Sequence, residues 1–164
     1  MTPEFSRGLA IDRIGPAGHD LTVEATASEL ASLATRLQLP AVSALTCRFR
    51  LRQAHNHTFV AEGWLDAVAT QTCVASLDAF EALISDHFII RFVPAGCESN
   101  DIDPDADDEL PYSDGVIDLG EAASQQLALA LDPWPRKPDA TLPEAATDEP
   151  ASRFAALRQK RLPV

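Results

Sequence analysis

Four histidines and three cysteines are the residues of this chain best suited to metal binding or nucleophilic chemistry, and their spacing argues against both. His55 and His57 lie two apart in the polar stretch Gln53-Ala-His-Asn-His57, with the other histidines at 19 and 87 and no cysteine nearby. A zinc site needs converging ligands, usually with a close pair among them. Cys47, Cys73 and Cys97 are widely spaced and odd in number, which suits neither a metal knuckle nor a disulfide framework. They read as buried, reduced thiols. The run Asp101-Ile-Asp-Pro-Asp-Ala-Asp-Asp-Glu109 has the acid density of a calcium loop. It places Ala106 where the turn requires glycine, Tyr112 where a bidentate glutamate belongs, and Pro104 inside. No glycine-rich phosphate loop, nucleophile elbow or His-Glu-x-x-His segment is present. The expectation is a chain with no catalytic residue, no metal and no cofactor.

What remains is charge. The net charge is −12, and Pro94 to Pro135 holds eleven acids and no lysine or arginine, so that segment carries −11 and the rest −1. General attraction to nucleic-acid phosphates needs a positive surface, which this balance excludes. A basic protein is the better match for Asp101, Asp103, Asp105, Asp107, Asp108 and Glu109. Two cationic groups stand apart. Arg48, Arg50 and Arg52 alternate along one run, about 6.5–7 Å apart if it is a strand. Arg153, Arg158, Lys160 and Arg161 cluster near the C terminus. Either group suits RNA or an acidic surface. The plainer readings are a solvated strand face, partly neutralised by Glu62 and Asp66, and a solubilising tail.

Around these groups the patterning specifies the elements. Phe5–Ile14 and Asp20–Ala25 read as two short strands flanking the Gly15-Pro16-Ala-Gly18 turn. Thr26 and Glu29 form a capping box for a helix with Leu30, Leu33, Ala34 and Leu37 on one face, stopped by Pro40. Three alternating runs follow. Their inner faces carry Leu45, Cys47, Phe49 and Leu51, then Phe59 to Ala69 at every second position, then Phe80, Ala82, Ile84, Phe88, Ile90 and Phe92. Asp118 and Glu121 have capping-box spacing ahead of a second helix, with Leu119, Ala122, Ala123, Leu127 and Ala130 on one face and Leu129 and Leu131 at its edges. Pro133 and Pro135 end it. The fold class is α+β, an antiparallel β-meander with a few flanking amphipathic helices. Residues 1–135 are expected to form a single α+β domain with an acidic mobile loop at 97–114, and 136–164 a linker and short basic C-terminal helix. No apolar run approaches the ~20 residues that span a bilayer, and residues 1–20 lack a signal-peptide core, so a cytoplasmic location is expected.

Three blocks carry a resemblance. The first is Ala67 to Phe80, with Cys73 and with Ser76 where many relatives have a second cysteine. The second runs from Gly115-Val-Ile-Asp118-Leu119 through Leu127, Leu129 and Leu131 to Pro133, with Asp132 intervening before the proline. The third is Phe154-Ala-Ala-Leu157 followed by basic residues. In this order they resemble the YceD family, the bacterial large ribosomal RNA subunit accumulation proteins, as do the Phe5-Ser-Arg7 start and the Glu29-to-Leu39 helix. The resemblance implies a non-enzymatic ribosome biogenesis factor that supports accumulation of 23S ribosomal RNA. It would bind ribosomal or assembly proteins of basic character, with 23S RNA as the other partner and neither DNA nor membrane. The alternative is a small-molecule binder or enzyme with an apolar pocket under the sheet near Trp64, Phe88 and Trp134.

Overall fold

Alternation of apolar and polar residues over the three central runs produces three long strands, and the remaining elements attach to their apolar face. The computed structural model describes residues 2–100 and 103–141. In chain order it contains β1 (Gly8–Ala10), β2 (His19–Glu24), α1 (Ala27–Arg36), β3 (Ala41–Gln53), β4 (Phe59–Thr72), β5 (Ala79–Pro94), β6 (Asp108–Tyr112), β7 (Val116–Asp118) and α2 (Leu119–Ala130), with one 3-10 turn at Ile11–Arg13. A five-stranded sheet has the order β2-β3-β4-β5-β6, and β1 pairs with β7 in a separate two-stranded ribbon.

The strands β2 to β5 form the expected antiparallel meander. Two details differ from expectation. The N-terminal strands do not pair with each other: β1 joins β7 and β2 joins β3, because the Ile11–Arg13 turn redirects the chain between them. The acidic stretch expected as a continuous loop ends in a strand. Asp108–Tyr112 pairs with Ile90–Pro94 in parallel, making the sheet mixed at that edge. Alternation in Asp-Glu-Leu-Pro-Tyr is too short to announce itself, and the pairing comes from the neighbouring strand.

One sheet face is buried. Leu45, Cys47, Phe49 and Leu51 of β3 meet Leu33 of α1 and Leu119, Ala123 and Leu127 of α2 in a single core. Each buried leucine contributes roughly 1.5–3 kcal/mol by leaving water. The other face is open and carries the charged and polar alternates. Gly63 and Gly120 are among the glycines required by close approach. A Cβ on Gly63 would lie 2.2 Å from the Phe88 ring, which sits over that position, and a Cβ on Gly120 would lie 2.7 Å from the Phe5 carbonyl oxygen. The N-terminal segment therefore crosses directly over the start of α2. In the five-residue β3–β4 loop Asn56 and His57 both have φ near +57°, the left-handed region that turns the chain back within the His55–Thr58 bond. The Tyr112 hydroxyl donates to the His57 carbonyl at 2.7 Å and ties β6 to this turn.

Candidate partner-binding surfaces and the signature helix

The acidic segment lies along one sheet edge. Glu98, Asp103, Asp105, Asp107 and Asp108 are exposed and Glu109 is half-buried. All of these but Asp105 line, with Ser99 and Ala106, a shallow open cleft in which Arg91 is the cation among the lining residues. Some carboxylates brace the loop itself. Glu98 accepts from the Gly96 N–H at 2.8 Å, Glu109 from the Ser99 N–H at 2.7 Å, and Asp103 from the Asp105 N–H at 3.0 Å. Arg91 is 3.9 Å from Glu109, a weak contact. Asp105, Asp107 and Asp108 form no ion pair among the described residues, so the cleft presents negative charge outward. Asp101 lies outside the described residues.

The arginine stripe is on the open face, as the alternation requires, but it is not bare. Arg48 lies over the Trp64 ring at 4.7 Å and Arg50 approaches the same ring at 5.9 Å. Arg50 also meets Asp20 at 3.4 Å. His87 stacks on Trp64 with centroids 5.3 Å apart and bonds Glu62 at 2.9 Å. Acids from β2 and β4 flank the stripe in register: Asp20 and Glu62 beside Arg50, and Asp66 beside Thr46. The surface is a mixed-charge face built around Trp64. Arg153, Arg158, Lys160, Arg161, Phe154 and Leu157 lie outside the described residues.

The signature helix starts in a clamp. The Asp118 Oδ1 accepts from the N–H groups of Gly120 at 3.0 Å, Glu121 at 3.1 Å and Arg7 at 2.8 Å, while Oδ2 takes the Ser6 hydroxyl. Leu119 donates back to the Arg7 carbonyl at 3.0 Å. Arg7 then grips Glu29 with both guanidinium arms, at 2.7 and 2.9 Å, and Glu29 caps α1 by accepting from the Thr26 N–H at 2.7 Å. That fork, with the Thr26 bond, lowers the Glu29 pKa to about 2. Arg7 is raised in turn by Glu29. The reciprocal capping box expected at Asp118 and Glu121 does not form. Glu121 instead pairs with Arg36 of α1 at 2.8 and 2.9 Å, which holds its carboxyl below the ordinary range. Arg36 also reaches Glu4 at 3.0 Å. Phe5-Ser6-Arg7, Glu29 and Asp118, far apart in the chain, thus form one polar junction that ties the N-terminal segment to both helices. Alternation and helical spacing do not reveal which acid an arginine will choose, so Arg7 and Arg36 were not visible as partners.

Along α2, Leu119 and Leu127 are fully buried, whereas Leu129 is 70% exposed and Ala130 and Leu131 only partly covered, so the apolar stripe ends before the helix does. After it, Asp132 accepts from the Trp134 N–H at 2.9 Å, and the Gln71 side chain donates to the Asp132 carbonyl at 3.2 Å. The Val74 N–H donates to the Pro135 carbonyl at 2.9 Å. The proline-ended segment is thereby fastened to the β4–β5 turn, where Cys73 sits. Cys73 is buried, yet its pKa is lowered to about 7, because the Ser76 hydroxyl and the N–H groups of Lys137 and Ser76 donate to its sulfur and outweigh desolvation. Burial pushes Cys47 up to about 12. Cys97 is exposed, against the expectation of a buried thiol, because it begins the acidic loop rather than ending a strand. Among the described residues no three His, Cys, Asp or Glu side chains are grouped to hold a metal. Trp64, Phe88 and Trp134 do not converge on a pocket: Trp64 and Phe88 are adjacent in register on opposite sheet faces, and Trp134 is 72% exposed.

A family model described as large ribosomal RNA subunit accumulation protein YceD matches residues 61–159. The chain belongs to the YceD family. The matched region takes in the Cys73 turn, the acidic segment, the Asp118 clamp and the whole of α2, and so covers the first two blocks on which the resemblance was read and most of the third. Membership ties the chain to accumulation of the large ribosomal subunit RNA. No curated relative and no solved structure matches the chain. No helix among the described residues is long and apolar enough to cross a membrane.

Proposed function

We propose that this YceD family member is a non-enzymatic factor in large-subunit assembly that works by holding a basic ribosomal or assembly protein against its acidic edge. The observation that carries this reading is the cleft at 98–109. Glu98, Asp103, Asp107 and Asp108 are exposed there, with Arg91 the cation among the described lining residues, on a chain whose net charge is −12. A cationic partner entering there gains attraction to several fixed charges at once and is steered to them over about one Debye length, 8–10 Å at ordinary salt. The partner-binding residues are Asp103, Asp105, Asp107, Asp108 and Glu109, with Asp101 in the same run.

RNA is the weaker partner on this reading. Arg48 lies over Trp64, and Arg50 meets Trp64 and Asp20, so phosphate would have to compete with existing contacts at two of the three stripe arginines; Arg52 is exposed. Accumulation of 23S RNA then follows indirectly, from a protein kept available for assembly. The chemistry needs no cofactor, and the reading fits a cytoplasmic site of action. The test is retention of dissociated large-subunit proteins, and separately of 23S RNA, on the immobilised full chain at low and high salt. Protein should be retained at low salt, released at high salt, and lost when Asp103, Asp105, Asp107 and Asp108 are changed to Asn. Retention of RNA alone would overturn the proposal.

A further inference from the structure

The edge strand β5 is paired on its outer side for only part of its length. β4 pairs with Ala79 to Phe92 on one side, but β6 meets β5 only from Ile90 to Pro94 on the other. Among the described residues Ala79 to Ile89 have no strand on that outer side, and the two isolated bridges lie elsewhere. Eleven extended residues span about 36 Å of unpaired backbone donors and acceptors. Protein sheets ordinarily shield such an edge by shortness, a proline, charged side chains or a covering element. This stretch has no proline and no lysine, and its charges are Glu81 and the inward-facing Asp86, which repel another acidic strand and match a cationic one. It exposes Leu83 at 82% and Ile89 at 40%, with Phe80, Ala82 and Ile84 half-covered on the other face.

The edge also has a seat beside it. A cavity of about 270 Å³ runs between β5, at Phe80, Ala82 and Ile84, and the end of α2, at Ala130, Asp132 and Pro135. Its outer wall is the segment that ends the signature helix, which gives the Leu131-Asp-Pro133 block a place in the geometry. The strand itself is acidic, with Glu81 on the open face and Asp86 on the core-side face, while the wall sets Asp132 beside Arg136. Where the free stretch ends, Asp108 stands opposite Ile90 and leads back into Asp107, Asp105 and Asp103.

From this juxtaposition we infer that the free edge of β5 accepts an added β-strand, supplied by an extended basic segment of a partner protein in which cations alternate with aliphatic residues. The inference rests on the basic-partner reading above and specifies how the partner is held. Backbone pairing with 79–89 fixes its position. Aliphatic side chains cover Phe80, Ala82 and Ile84, and the cations meet Glu81, Asp86 and the acidic cleft at the strand's end. A second copy of this chain fits less well, since it would bring Glu81 and Asp86 against the same acids.

The test uses the full chain and a twelve-residue peptide alternating lysine and valine, with a control in which two central valines are proline. Hydrogen exchange should show alternate amides within 79–89 slowed about tenfold or more by the peptide and not by the control. Adjacent strand residues point their N–H groups to opposite sides. Of Leu83→Pro and Ile84→Pro, one should therefore keep the wild-type melting temperature and lose binding about tenfold or more, while the other breaks a bond to β4 and melts lower. Peptide binding without protection of 79–89 would overturn the edge assignment and leave the basic-partner reading standing. So would a failure to bind the peptide in a chain that still retains large-subunit proteins. Slow exchange in the free chain at those amides of 79–89 that point away from β4, or protection of them that rises with protein concentration, would mean the edge is already occupied or closes on a second copy, and would overturn it too.

Discussion

Replacing Asp118 with alanine should destabilise the protein by about 2–3 kcal/mol, and the figure can be assembled from the contacts it makes. The carboxylate is the N-cap of α2, taking the Gly120 and Glu121 N–H groups at 3.0 and 3.1 Å. Removing such a cap typically costs about 1 kcal/mol. The same oxygen accepts the Arg7 N–H at 2.8 Å in a half-buried setting. Losing it strands a backbone donor, for a further ~1–2 kcal/mol. For a chain of this size, that corresponds to a fall of about 5–10 °C in Tm. Asp118→Asn keeps an oxygen that can serve the three N–H groups; it gives up the charge and reverses the bond to the Ser6 hydroxyl, which can accept from the amide NH2, so its cost should be about 1 kcal/mol or less. Urea unfolding followed by circular dichroism separates the cases, since the midpoint should fall at constant slope. The reasoning fails if Asp118→Ala stays within about 0.5 kcal/mol of wild type, or if Asn costs as much as Ala. Either result would mean that the signature aspartate is kept for something other than fastening the N-terminal segment to α2.

Two further substitutions probe neighbouring features. Glu29 has its folded pKa lowered from 4.5 to about 2, so its stabilisation is complete above pH 4.5 and vanishes as pH falls toward 2. Glu29→Gln should cost about 1–2 kcal/mol at neutral pH. The gap between the two urea midpoints should close across that acid window, whereas parallel profiles would contradict the Arg7 fork as the cause. Gly63→Ala sets a Cβ 2.2 Å from the Phe88 ring and should cost about 1–3 kcal/mol. Adding Phe88→Leu should recover part of that loss, and additive costs from the two changes would refute the overlap.

How much of this was legible in the sequence depended on whether a feature is local. The capping box at Thr26 and Glu29 and the alternation of Leu45, Cys47, Phe49 and Leu51 are set by neighbours a few residues away, and both are present in the structure. The Asp118 cap is local and appeared, but its companion Glu121 was drawn 85 residues back in the chain to Arg36, since a charged fork outcompetes a single backbone donor. The strand at Asp108–Tyr112 and the pairing of β1 with β7 depend on what lies alongside, which no period of 2 or 3.6 encodes. Leu129 was placed at the edge of a buried face by spacing alone; it lies about 200° round the helix from the buried Leu127 and is exposed.

The charge map changes meaning once the clamps are seen. Eleven acids without a cation between Pro94 and Pro135 look like one continuous negative surface, yet Asp118 and Glu121 face inward to Arg7, Ser6 and Arg36 and stabilise the junction of the helices. Binding charge is therefore not the segment's total. On the function proposed above it is the subset lining the cleft at Glu98, Asp103 and Asp107–Glu109, placed where β6 joins the sheet and next to the part of β5 that β6 leaves unpaired. Charge alone would attract any cation. The unpaired edge favours an extended one, because only an extended chain can satisfy a row of backbone groups while its alternate side chains reach acids on both faces. Specificity among basic partners then comes from backbone shape as much as from the number of lysines and arginines.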